Sequence, residues 1–247
     1  MSEDQTGTTG QDAGSATQPA GGTVRETAYQ VQARLSADPE LGHWRVLLGR
    51  LVARWETGGF TRGAEFVARV AQAADELDHH PDVDLRYPHV TVTTVSHDVQ
   101  RLTGRDRRLA LAISAIADEL GLRPAPQEVS TLEVGLDVMA AADVAPFWRA
   151  VLGYAVEGDQ PETEVLVDPA GRLPALWFQQ MDEPRVERNR FHLDIALPHD
   201  VAEERLAAAL TAGGRLVSDE AAPSWWVLAD AEGNEVCICT WQGRGSR

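Results

Sequence analysis

Residues 75–97 read DELDHHPDVDLRYPHVTVTTVSH. The run opens on a polar end of a helical pattern, breaks at Pro81 and closes on alternating β-branched residues. Upstream, Ala64, Phe66, Val67, Val70, Ala71 and Leu77 recur at helical spacing, which predicts a helix ending just before the histidine pair. Downstream, LRYPHVTVTTVSH predicts a strand, or two strands if Pro88 breaks it. The flanks extend the pattern. HWRVLLGRLVARWETGGF predicts two short strands around Gly49, and TGRDRRLALAISAIADELGL predicts a helix with Thr103 as N-cap and Gly121 as its stop. The order is ββαβα, or ββαββα with the break at Pro88.

The rest of the chain falls into place around this core. Residues 1–22, rich in Gly, Ser, Thr, Gln and Ala, have almost nothing to bury and are expected to be a disordered tail. A short helix is expected at about 24–36, so the first domain spans 23–122. RPAPQEVS, residues 123–130, carries two prolines and no periodicity and is expected to be a linker. Residues 131–247 hold an internal repeat. TLEVGLDVMAAADVAPFWRAVLGY and RFHLDIALPHDVAEERLAAALTAGGRLV each read as a strand, a turn and a helix ending at glycine, and short strands follow each. Two tandem βαβββ units cover each other's sheet faces, so the fold class is α+β.

The bulk numbers exclude several functions. No apolar run approaches the roughly 20 residues that span a bilayer, and no secretory signal opens the chain, so a cytoplasmic protein without a membrane partner is expected. The 38 acidic and 22 basic residues give a formal net charge of −16, which repels phosphate backbones and argues against nucleic acid. Cys237 and Cys239, two apart on one strand, fit no CxxC pattern and read as small buried thiols.

Four of the seven histidines, His79, His80, His89 and His97, lie in the opening stretch. No zinc-like spacing accompanies them, and the side chains of neighbours such as His79 and His80 diverge, so a metal is not expected. Imidazole, with an unperturbed pKa of about 6.5, both gives and takes protons near neutrality. A helix end and a facing strand that carry histidines suit a reaction that loses water while a nearby nitrogen loses a proton. His89, like His43 and His199, reads as a surface or capping residue.

The ordered set His79, His80, Pro81, Tyr87, His97 and Asp106 resembles the pterin-4a-carbinolamine dehydratase family over about residues 43–122. The resemblance implies a four-stranded antiparallel sheet with helices on one face, a homo-oligomer, and no cofactor or metal. It implies dehydration of a 4a-hydroxy-tetrahydropterin, with His79, His80 and His97 catalytic. One of His80 or His97 would protonate the leaving hydroxyl and another histidine would take the N5 proton. Asp75, Asp78, Ser96 and Asp106 would bind the substrate or line its pocket. Asp106 also suits the first turn of a helix, where a carboxylate favours the dipole. Tyr87 reads as packing. Glu76 stands where the family commonly has Lys, and DVDLRY lacks an aromatic often found after His-His-Pro.

FWRAVLGY and DAEGNEVCIC, set in the tandem repeat, resemble glyoxalase-like members of the vicinal oxygen chelate superfamily over about residues 131–242. Enzymes of that group hold a divalent metal with one residue from each of four strands. Here those positions carry Glu133, Trp177 (with Gln179 two residues on), His192 and Cys237, which leaves two plausible ligands, a poor site. Five of the seven tryptophans lie in this half, which suits an unknown small aromatic ligand bound in a pocket with Glu133, Trp177 and His192. The first reading is a dehydratase with an appended binding or dimerisation module. The alternatives are a non-catalytic binder of an aromatic metabolite or antibiotic, and a metal enzyme in the second half.

Overall fold

A computed structural model describes residues 26–156, 165–184 and 192–242. The expected tail at 1–22 lies outside them. The chain divides into two compact units: one runs to His97 and resumes at Arg101–Pro124, and the other takes Ala125 onward with Asp98–Gln100. No helix among the described residues is long and apolar enough to cross a membrane.

The first unit begins with α1 (Ala28–Ser36) and a 3-10 turn at Pro39–Leu41. Strands β1 (Trp44–Leu47) and β2 (Arg50–Glu56) form a hairpin closed by Leu48 and Gly49, both at positive φ (44° and 74°), as a two-residue loop with primed-turn twist requires. Helix α2 (Phe60–Leu77) follows, then β3 (Asp82–Leu85), β4 (His89–Thr94) and α3 (Gly104–Glu119). Pro88 does break the strand region. Arg86 and His89 exchange backbone bonds of 2.9 and 3.3 Å around Tyr87–Pro88, so the order is ββαββα.

The antiparallel sheet runs β1-β2-β4-β3. It is not limited to the four expected strands. Residues Arg123–Pro124, expected to begin the linker, form β5 and pair with Trp55 and Glu56 of β2. The reason lies in register: β1 reaches only Arg50–Ala53 of β2, so the end of that edge is open to a further strand.

Along β4, Val90, Val92 and Thr94 are buried while His89, Thr91 and Thr93 are half-buried, which turns one face toward the helices. Trp44, Trp55 and Phe66 stack edge-to-face with centroids 5.6 and 5.4 Å apart. Trp44 Nε1 donates to Ser114 Oγ at 3.0 Å, which ties β1 to α3. The buried line of α2 is Gly63, Phe66, Val70 and Ala74; Ala64, Ala71 and Leu77, expected on the inner stripe, are exposed. Gly63 is there for closeness, since a Cβ would stand 2.5 Å from Leu85 Cδ1.

The second unit repeats one topology. β6 (Glu133–Val138), α4 (Ala141–Leu152), β7 (Ala155–Val156), β8 (Leu166–Val167) and β9 (Ala175–Gln180) form a sheet ordered β6-β9-β8-β7. β10 (Asp194–Ala196), α5 (Ala202–Thr211), β11 (Arg215–Ser218), β12 (Trp225–Ala229) and β13 (Glu235–Cys239) form β10-β13-β12-β11. In each, the first strand runs parallel to the last and the other pairs are antiparallel. The helices stop where foreseen, with Gly153 and Gly213 at φ 72° and 97°.

The D-x-EGN motif joins the repeats. Fully buried Asp230 accepts from Trp148 Nε1 (3.0 Å), Asn234 Nδ2 (2.8 Å) and the backbone N–H groups of Glu232 and Asn234. The carboxylate of Glu232 accepts from the backbone N–H groups of Met139 and Ala140, at 2.7 and 2.8 Å, where α4 starts. Ala140 has no side chain to cap that helix, and Glu232, 92 positions away, holds the two amides that lead into it, close to the helix's positive end. Glu232→Ala is expected to lose about 1 kcal/mol. Hydrogen exchange should show the Met139 and Ala140 amides opening faster while those of α2 and α3 keep their protection.

Candidate active site

The site is built where α2 ends. Asp78 sits in the left-handed region (φ 48°, ψ 44°), which a short polar side chain tolerates, and its N–H bonds back to Ala74 and Asp75. The reversal brings His79 N to Ala74 O at 3.1 Å and turns its ring inward. Only 6% of the His79 side chain is exposed, whereas His80 points out with Nε2 3.0 Å from Asp75 Oδ1.

Inside, His79 meets the end of β4 and the start of α3. Its Nε2 lies 2.8 Å from Asp106 Oδ1, which also accepts from Thr94 Oγ1 at 2.9 Å. Asp106 Oδ2 accepts from Ser96 Oγ and from the Thr103 backbone N–H, both at 2.7 Å. Thr103 Oγ1 lies 2.7 Å from Ser96 Oγ and accepts from Arg105 N at 3.1 Å. Thr103 and Asp106 are thus the two halves of the capping box of α3. Asp106, Ser96 and Thr94 are each at most 1% exposed. Burial pushes the Asp106 carboxyl up, but the bonds from His79, Ser96, Thr103 and Thr94 outweigh it and hold the carboxyl below its ordinary range.

The sequence candidates therefore separate. His79, Ser96 and Asp106 come together with Thr94 and Thr103 in one buried network. His80, His97, Asp75 and Asp78 are exposed around it. Ser96 and Asp106, expected to bind the substrate or line its pocket, are buried against His79 with their oxygens held by buried donors, and Asp106 sits in the first turn of α3, as its other reading had it. Tyr87, expected to pack, is 72% exposed at the tip of the β3–β4 turn. His89, expected on the surface, is half-buried, and its Nδ1 has no partner. Thr94 was not singled out as functional. Its signal was the alternation of β4, which places it on the inner face.

In the second unit, Glu133 and Trp177 share the outward face of the β6–β9 pair, where register sets Ala175 beside Glu133 and Trp177 beside Gly135. The indole lies against Gly135, where a Cβ would meet Cζ2 at 2.8 Å. Trp177 is 37% exposed; His192, also exposed, precedes β10 on the other sheet. Among the described residues, no three His, Cys, Asp or Glu side chains converge as metal ligands would. Cys239 is buried and Cys237 half-buried, and neither forms a disulfide. Burial, with Asp194 beside it across β10–β13, pushes the Cys237 thiol up to about 12, so it stays protonated near neutrality.

Residues 25–116 match the family model described as Pterin 4 alpha carbinolamine dehydratase, and residues 133–239 match that of a Glyoxalase-like domain. A relative from Mycobacterium sp. (strain KMS), whose name assigns it provisionally to pterin-4-alpha-carbinolamine dehydratase, is 40% identical over 92 residues, 37% of this chain and 95% of its own. The chain belongs to the pterin-4a-carbinolamine dehydratase family. Among solved structures, a transcriptional coactivator/pterin dehydratase from Brucella melitensis is similar, at 28% identity, 38% of this chain, 99% of that one and TM-score 0.34. A glyoxalase/bleomycin resistance protein from Albidiferax ferrireducens T118 is similar at 18% identity, 44% and 95% coverage and TM-score 0.36. The buried histidine network thus lies in the pterin-4a-carbinolamine dehydratase part of the chain, and Trp177 in the glyoxalase-like part.

Because the Asp106 pKa is lowered on folding, its stabilisation is complete above the ordinary value of 3.8 and is lost as pH falls through the folded value. Asp106→Asn is expected to cost on the order of 3 kcal/mol at pH 7. In urea titrations the gap from the parent protein should narrow as the pH falls below 3.8.

Proposed function

We propose that the N-terminal unit dehydrates a 4a-hydroxy-tetrahydropterin to the quinonoid dihydropterin and water by histidine acid–base catalysis. The observation that carries this reading is the division of the histidines: His80 and His97 are exposed, while His79, next to His80 in sequence, is clamped by a buried carboxylate. The reaction needs both kinds of group. The C4a–O bond breaks as its oxygen takes a proton and leaves as water, and N5 gives up its proton as the C4a=N5 bond forms. An exposed imidazole exchanges protons with solvent between turnovers and can reload as the acid. Asp75, 3.0 Å from His80 Nε2, orients that ring.

For the glyoxalase-like unit we infer binding of a flat organic molecule on the outward face of β6 and β9. Trp177, half-uncovered and laid on Gly135, offers a rigid aromatic surface there. The domain's part in the chain is to bind rather than to catalyse.

Turnover tests the first reading. With substrate generated in situ, the chain should speed quinonoid formation above the uncatalysed rate, and His80→Ala or His97→Ala should each slow it about 100-fold. No acceleration by the parent protein, with tight quenching of tryptophan fluorescence by a flat ligand, would leave a binder in place of an enzyme.

A further inference from the structure

We propose that Asp106 is a positioning residue that holds neutral His79 as its Nε2–H tautomer, so that Nδ1 is the acceptor of the pterin N5 proton. The role of Nδ1 rests on the dehydratase reading; the tautomer does not.

The hydrogens of the network can be placed one by one. An ionised carboxylate only accepts. The Thr103 backbone N–H cannot turn away, so Asp106 Oδ2 accepts from it. Thr94 has one hydroxyl hydrogen, and it goes to Asp106 Oδ1 at 2.9 Å. The remaining face of Thr94 Oγ1, a lone pair, lies 3.3 Å from His79 Nε2. Both oxygens near Nε2 are therefore acceptors. Were Nε2 the bare nitrogen, its lone pair would oppose the fully buried carboxylate at 2.8 Å. Only Nε2–H satisfies the site, and neutral imidazole then carries its basic lone pair on Nδ1.

The division of labour follows. The N5–H bond breaks and its proton passes to His79 Nδ1. Its electron pair forms the C4a=N5 bond as the C4a–O bond breaks, and the leaving oxygen takes a proton from His80 or His97. His79 makes a poor acid for that step: it is nearly enclosed, and Asp106 stabilises the imidazolium once formed.

Asp106→Asn makes the idea sharp. An amide has one acceptor end. The immovable Thr103 N–H claims the oxygen, so the NH2 group must face His79 and donate to Nε2. The expected consequence is a flipped tautomer, Nδ1–H, with no base toward N5. Long-range 15N–1H spectra of the full chain at about pH 9, where an ordinary imidazole is neutral, read this directly. His79→Gln identifies the signals. We expect Nε2–H in the parent protein and Nδ1–H in Asp106→Asn, whose kcat should fall about 100- to 10,000-fold with KM within a few-fold. Nδ1–H in the parent protein overturns the proposal without need of any variant. So does a flipped tautomer with kcat unchanged. An inactive parent protein with His79 as Nε2–H would remove the dehydratase reading, and with it the N5 proton, while upholding the positioning by Asp106.

Discussion

The bond between Asp106 and His79 is the constraint on which the first unit depends. A carboxylate in a dry interior survives only if donors surround it, and here those donors come from three places. His79 comes from the end of α2, Thr94 and Ser96 from β4 and the residues after it, and Thr103 from the start of α3. Moving any of these elements would strand a buried charge. The same carboxylate completes the capping box of α3, so the helix cannot start elsewhere without unmaking the site. One residue therefore ties the start of α3 to the buried histidine. The left-handed turn at Asp78 is tolerable for the same reason, since the His79 bond rewards the reversal.

The second unit solves a related problem with different means. Neither βαβββ repeat covers its own apolar face, and both repeats contribute to one core. What sets them in register is again carboxylate: Asp230 under Trp148, and Glu232 at the start of α4. DAEGN stands out in the sequence as a motif because it is a joint. With that role taken, the outward sheet face is free of structural duty, and Trp177 can rest half-exposed on Gly135.

Much of this was legible in the sequence because local rules and packing agreed. Thr103 and Gly121 bracketed α3 through capping chemistry, Gly49 marked the hairpin, and the repeat announced two sheets. Where the reading slipped, the deciding fact was not local. Nothing in Arg123–Pro124 tells of the open edge on β2 that captures it. Gly63 and Ala74 look too small to mark a buried stripe, yet closeness of α2 to β3 demands small residues. Ser96 and Asp106 were placed near the histidine pair, and Asp106 in the first turn of α3, but their full burial was not legible. Spacing gives neighbours along the chain; it does not say which side of a histidine a carboxylate occupies.

The two buried aspartates show how depth and donor type separate structure from chemistry. Asp106 and Asp230 are both fully buried, and both are ringed by hydrogen bonds. Asp230 takes its hydrogens from an indole, an amide side chain and backbone N–H groups, none of which changes protonation near neutrality. It can only hold. Asp106 takes one of its hydrogens from an imidazole, which has a second ring nitrogen able to accept a proton. That single difference couples the carboxylate to events outside the core. In the proposed reaction, an imidazolium at His79 would be stabilised by a charge already buried and already oriented, with little reorganisation. A histidine on the open surface, such as His80 beside exposed Asp75, lacks that advantage but exchanges freely with water. A dehydration needs one group of each kind.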